Sequence, residues 1–143
     1  MIELVFVIVI LGILASVAIP KLAATRDDAN IAKASTEISS LVSDIGSYYT
    51  AHGHFDGNVS GMTNVKVSQT TADFNKSGGY STVVTYDDKT RKLPCIDMKS
   101  YDDNGTLTLA ENATNKNTPF CKGLIKAVKP LLTVHTFGGS SIY

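Results

Sequence analysis

The chain has no surplus of charge, no tryptophan and almost no cysteine. Thirteen lysines and arginines balance thirteen aspartates and glutamates, so the formal net charge at pH 7 is zero. A balanced composition without a basic cluster leaves no electrostatic footprint for nucleic acid. The two cysteines, Cys95 and Cys121, belong to no CxxC, and no histidine cluster accompanies them, so zinc is not expected. No G-x-S-x-G, phosphate loop, carboxylate dyad or nucleophile–base pair can be assembled, so neither enzymatic activity nor a cofactor is expected. Charge is also missing locally: no ionisable side chain lies between Glu3 and Lys21.

What fills that gap is a run of apolar residues, MIELVFVIVILGILASVAIP, interrupted only by Glu3, Gly12 and Ser16 before it ends at Pro20. As a helix, its charge-free interval spans about 25 Å at 1.5 Å per residue. Met1 and Ile2 extend it towards the ~30 Å of a bilayer core. A signal peptide, even one left uncleaved, would need a basic n-region and a small-residue cleavage site, and neither is visible. A buried core helix would need more partner surface than the remaining residues offer, about 120 of them. A carboxylate in such a run is expensive in hydrocarbon unless it meets a cation. The pattern therefore reads as a segment that leaves a bilayer to pack against copies of itself.

Two topological signals conflict. Lys21 and Arg26 flank the run on its C-terminal side, which by the positive-inside rule places the rest of the chain in the cytoplasm. Two cysteines in a small membrane-anchored head read as one disulfide, Cys95–Cys121, which requires an oxidising compartment. That bond would close a loop of about 25 residues and contribute roughly 3 kcal/mol. A basic leader upstream of Met1 would resolve the conflict.

The segment IELVFVIVILGILASVAIPKL resembles the N-terminal segment of type IV pilins and pseudopilins. The resemblance implies that Glu3 is the family's assembly glutamate and Pro20 its helix-breaking proline. Gly12 would be the glycine near which assembled pilins lose helicity. It further implies two more mature residues and a leader before the position of Met1, removed by a prepilin peptidase, with N-methylation of the new terminus. The implied partners are other copies of the chain, the inner membrane before assembly, and an assembly ATPase with a platform protein. The N-terminus of one subunit would pair with Glu3 of its neighbour in a low-dielectric core, where pairing offsets desolvation. Gly12 is also a weak point by propensity, at about 1 kcal/mol relative to alanine, and Pro20 lacks the N–H for one helical bond.

Beyond the run, Ile31, Ala34, Ile38, Leu41, Val42, Ile45, Tyr48 and Tyr49 recur at helical spacing, so the helix is expected to continue to about His52 and stop at Gly53. Residues 1–20 would form the membrane or filament-core segment, 21–52 an amphipathic half, and 53–143 a β-rich head. Residues 53–79 look like a long connecting loop with at most short structure. Strands are expected at Tyr80–Tyr86, Arg91–Met98 and Thr106–Ala110, with a final one within Leu132–Phe137. Asp87-Asp88 and Asp103-Asn104-Gly105 read as turns, and Pro94 as an edge or bulge position. Thr118-Pro119 opens a short helix carrying Phe120, Leu124 and Val128 on its apolar side and Lys122, Lys126 and Lys129 on its solvated one. The expected fold is α+β: a long N-terminal helix packed on a small antiparallel sheet of about four strands, with a short C-terminal helix.

Asn58, Asn75, Asn104 and Asn112 each begin an N-x-[ST] sequon. Asp56, Asp73 and Asp102 stand two places before the first three, where bacterial oligosaccharyltransferases favour an acid. Independent placement of these residue types predicts about 0.1 such patterns in this chain. Asn58, Asn75 and Asn104 are thus candidate N-glycosylation sites, against the plainer reading that Asp, Asn and Ser stabilise turns. Asp97, Asp102, Asp103 and Asn104 offer oxygens to calcium, but their spacing fits no metal loop, and no metal site is expected. His52 and His54 flank Gly53 without further ligands, and Phe6, Tyr48 and Tyr49 read as packing residues on the rod.

The expected function is structural: the major subunit of a type IV pilus, held in the bacterial inner membrane with a periplasmic head and then polymerised into an extracellular fibre. Such fibres serve adhesion, motility or DNA uptake. The alternatives are a pseudopilin of type II secretion and a membrane-anchored periplasmic protein that never polymerises.

Overall fold

A computed structural model describes residues 1–69, 74–75, 79–86 and 92–138. The expected turn at Asp87-Asp88 and the start of a strand at Arg91 lie outside these residues. The fold is α+β. One helix, α1 (Ile2–His52), spans 51 residues, about 75 Å at 1.5 Å per residue. Among the described residues five antiparallel strands follow in the order β1-β2-β3-β4-β5: β1 (Val67–Gln69), β2 (Gly79–Tyr86), β3 (Lys92–Tyr101), β4 (Thr106–Glu111) and β5 (Val134–Thr136). A second helix, α2 (Pro119–Val128), lies between β4 and β5 in the chain.

α1 has two unlike halves because its sequence does. Ile2–Ile19 is apolar apart from Glu3 and Ser16, and the described residues bury none of it. From Ala34 onward one stripe turns inward: Ile38, Leu41 and Ile45 are completely buried, each contributing roughly 1.5–3 kcal/mol by leaving water. Gly53 ends the helix in the left-handed conformation (φ 76°), and its N–H returns to the Tyr49 carbonyl at 2.7 Å. The stop that Gly53 signals in sequence is therefore realised.

The sheet is three longer strands with a three-residue strand at each edge. Alternation buries Met98 and Ser100 on β3 and Leu107 and Leu109 on β4. Pro94 is tolerated inside the central strand because the β2–β3 register shifts there: Val83 pairs with Ile96, but Val84 with Pro94. Cys95 is the extra residue. Regular alternation would put it with Asp97 and Lys99, yet both Cys95 and Ile96 are fully buried. The bulge re-aims Cys95, and it is bonded to Cys121 of α2 with the Cα atoms 5.2 Å apart. Thr118 caps α2, its Oγ1 accepting the Cys121 N–H at 3.3 Å, with Pro119 in the first turn. Phe120, Leu124 and Val128 are buried, as their spacing implies. α2 docks closely on α1 at Gly123, where a Cβ would stand 2.6 Å from Ile31 Cδ1.

Several boundaries differ from expectation; β3, for one, runs on to Tyr101 rather than ending at Met98. The described part of 53–79 holds only short structure, as expected: β1 and a 3-10 turn at Val59–Gly61. It is fastened by Phe55 and Phe74, both completely buried, whose rings meet edge-on at 6.0 Å. The last strand shrinks from Leu132–Phe137 to Val134–Thr136, because Lys129–Leu131 continues from α2 as a 3-10 turn. The Asn104-Gly105 turn is wider than a two-residue hairpin, since Asp102–Asn104 also winds as 3-10 before Gly105 turns left-handed (φ 58°).

Reduction of the Cys95–Cys121 bond should lower head stability by about 3.5 kcal/mol on the chain-entropy model for its sequence separation of 26. Thermal melts of the full chain in detergent with and without reductant check this. Gly105→Ala combines a left-handed backbone with a Cβ placed 2.6 Å from the Tyr49 ring and 2.7 Å from the Gly138 nitrogen, and should cost about 2–4 kcal/mol in the same assay.

Candidate functional site: an uncovered apolar rod and the head pole opposite it

The apolar half of α1 is the most conspicuous surface of the molecule. Its 18-residue window Ile2–Ile19 has a mean hydropathy of 2.9 and is long and apolar enough to cross a membrane. At 1.5 Å per residue it measures about 27 Å, close to the hydrocarbon thickness of a bilayer. Ile2, Phe6, Leu14 and Ile19 are each more than 60% exposed, far beyond the apolar patches an ordinary soluble surface carries. Its polar groups are self-satisfied where they occur. Ser16 Oγ donates to the Ile13 carbonyl at 2.7 Å, and Thr25 Oγ1 to the carbonyls of Lys21 and Leu22.

The three residues singled out on the rod lie at different points of it. Glu3 stands in the first turn of α1, exposed, at the end farthest from the head. There its carboxylate favours the positive N-terminal end of the helix dipole. Gly12 has no atom within 4 Å of the position a Cβ would take, so packing within the chain does not require a glycine there. The helix runs through Pro20 without a break. Phe6 is exposed, whereas Tyr48 and Tyr49 pack at the head: Tyr48 stacks on His52 with ring centroids 4.0 Å apart, and Tyr49 lies 4.7 Å from Phe55.

At the other end of α1 the β3–β4 turn folds over the helix terminus. Asp102 Oδ1 accepts the Phe55 N–H at 2.7 Å, and the Asp102 carbonyl accepts the Gly105 N–H at 3.1 Å and the Tyr49 hydroxyl at 3.4 Å. Asp56 Oδ1 accepts the Asn58 N–H at 2.8 Å, and its Oδ2 accepts the Tyr48 hydroxyl at 3.4 Å. Partial burial, helped by the Asp56 charge and hydrogen bond, pushes the Tyr48 phenol above its usual 10.0. Sequence reasoning missed this bracket. Its signal was a few apolar residues, Phe55, Val59, Met62 and Phe74, scattered through a stretch rich in Gly, Asn, Ser and Thr.

The asparagines of the sequons occupy two kinds of environment. Asn58, Asn75 and Asn104 are exposed. Asn112 is half-buried and engaged: its Nδ2 donates to Asp97 Oδ1 at 2.8 Å, and its Oδ1 accepts the N–H groups of Thr114 and Asn115 at 3.1 Å. The oxygens of Asp97, Asp102, Asp103 and Asn104 are not gathered. Asp97 is paired with Asn112 in mid-strand, while the other three belong to the distant turn. Among the described residues no group of three or more His, Cys, Asp or Glu could hold a metal ion. His52 Nδ1 and His54 Nδ1 bond instead to the carbonyls of Tyr48 and Phe55, both at 3.0 Å.

No family model matches this chain, and neither the curated proteins nor the solved structures contain a match to it.

The Tyr48 phenol provides a local probe of the bracket. Replacing Asp56 by Asn removes the neighbouring charge, and the Tyr48 titration, followed by phenolate absorbance, should move back towards 10.0. The neutral phenol is the form the fold favours, so whatever stability it contributes is present below pH 10.0 and lost as pH rises through the raised value.

Proposed function

We propose that this protein is a structural filament subunit, a type IV pilin: membrane-held through α1 with its head on the oxidising side, then polymerised with the rods in the core. The observation that carries the proposal is the rod itself, with all of Ile2–Ile19 uncovered and Glu3 at its free tip. A plain anchor would be equally apolar, and the small dipole stabilisation of a first-turn carboxylate would not offset the penalty that hydrocarbon sets on the charge. In a bundle of rods the same carboxylate finds the N-terminal amine of a neighbour, and the apolar side chains exchange lipid for each other. The disulfide supports export of the head, since such bonds persist in oxidising compartments. The resemblance of residues 1 to about 24 to the pilin N-terminal segment supports the same reading.

In this role the chain performs no chemistry. A separate ATPase and platform protein supply the work of extraction, and a prepilin peptidase prepares the N-terminus. The amphipathic half of α1 is the mechanical link: load on the rod passes to the head through Ile38, Leu41 and Ile45, and the disulfide ties α2 to the central strand.

Glu3→Ala and Glu3→Gln should each leave membrane insertion and head melting unchanged but reduce filaments recovered by shearing at least tenfold. Wild-type filaments should contain the chain with a methylated N-terminal residue upstream of Met1, read by intact mass with fragmentation. Recovery only from the membrane fraction, in processed form, would replace the pilus by a short periplasmic pseudopilus. An unprocessed terminus and indifference to Glu3 would reduce the protein to an anchor.

A further inference from the structure

Two of the acid-preceded sequons are described in full, Asp56–Ser60 and Asp102–Thr106, and the fold brings them together. They are separated by 46 residues in the chain, yet Asp102 Oδ1 holds the Phe55 N–H and the Asp102 carbonyl holds the Tyr49 hydroxyl. Both therefore sit at the pole where α1 ends, with the 51-residue helix between them and the tip of the rod. Asn58 and Asn104 are exposed there, and neither side chain bonds to another described residue. Asn112, which has Ala110 rather than an acid two places upstream, lies at the opposite end of β4, where its N–H bonds to the Cys95 carbonyl at 2.9 Å. Its amide is the one consumed by the fold. Among the fully described sequons, the upstream acid and the free amide thus coincide, and both are directed to the end farthest from the apolar segment.

We infer that Asn58 and Asn104 are N-glycosylation acceptors, so that the distal pole of the head carries two glycans. The donor class is an oligosaccharide linked through pyrophosphate to a lipid. In the transfer, Asn Nδ2 forms a bond to the anomeric carbon and the anomeric C–O bond to pyrophosphate breaks. The lipid pyrophosphate departs, and one amide proton passes to a base of the transferase. The inference needs only an exported head and does not depend on polymerisation.

The geometry also dates the event. In the folded head the Asp56 and Asp102 carboxylates are committed to the N–H groups of Asn58 and Phe55. Val59, the middle residue of the first sequon, is completely buried. In the second, Gly105 is left-handed and its carbonyl accepts the Phe137 N–H at 2.8 Å. Neither sequon can extend into a transferase without opening the head. Transfer therefore precedes packing, on the chain as it emerges from the membrane, and the finished fold then leaves both modified amides outside.

The full chain would be co-expressed in a bacterial periplasm with an oligosaccharyltransferase that requires an upstream acid and a lipid-linked glycan of known mass. The peptides carrying Asn58 and Asn104 should gain that mass and the Asn112 peptide should not. Asp56→Asn and Asp102→Asn keep an Oδ1 acceptor for the bracket; each should reduce occupancy at its own sequon at least tenfold while the head melting temperature stays close to wild type. Added after folding, the same transferase should modify purified chain at least tenfold less than reduced, unfolded chain. An unmodified Asn58 or Asn104 peptide overturns the assignment of that residue. Equal modification of Asn112 overturns the selection by acid and exposure, and equal modification of folded chain overturns the order of events.

Discussion

The burial of one stripe of α1, from Ala34 through Ile45, is the contact on which the rest of this molecule depends. The sheet has one inner face, and α2 has one apolar side. Neither could stand in water alone, and a short sheet gains independent stability only by packing on something. α1 supplies that surface to both. Its close approach to α2 at Gly123, and the bond from α2 to β3, close the triangle of helix, helix and strand. Everything at the distal pole is then hung on the end of this helix: the left-handed Gly53, the buried Phe55, and the turn that Asp102 ties down.

The same helix leaves half its length uncovered, and these facts are linked. Of its 51 residues, the buried ones begin only at Ala34. Its first 18 residues project as an apolar surface that none of the described residues covers. The segment is long and apolar enough to cross a membrane, and the head is independent of whatever covers it only if the head's core lies elsewhere. The described core satisfies that condition, since every buried apolar residue lies at or beyond Ala34.

The placement of polar devices follows the same division. On the rod, hydroxyls are turned back onto their own helix, and the single acid is kept to the tip. In the head, carboxylates do structural work on backbone N–H groups, as Asp56 and Asp102 show. Asn112 links β3, β4 and the segment leading to α2 by bonding Asp97, Asn115 and the Cys95 carbonyl. These fixed positions are why the three fully described sequons are inequivalent as chemical groups.

Sequence by itself determined the elements whose signal is local. The apolar run, the 3.6-residue stripe up to His52, the Gly53 stop, the Thr118-Pro119 start and the β-branched cores of β2 and β4 are consequences of side-chain spacing and capping chemistry. The pairing of Cys95 with Cys121 was legible because the chain has only these two. The tertiary structure alone decided what depends on contacts distant in the chain. Residues 53–79 were unreadable because Phe55 and Phe74 gain their meaning only from each other and from the turn near residue 102. The bulge that aims Cys95 exists because Pro94 cannot join a regular ladder, a consequence of its neighbour strand's register. Whether an asparagine is free or consumed is likewise set by partners that local sequence does not name, because a hydrogen bond is satisfied by proximity in space.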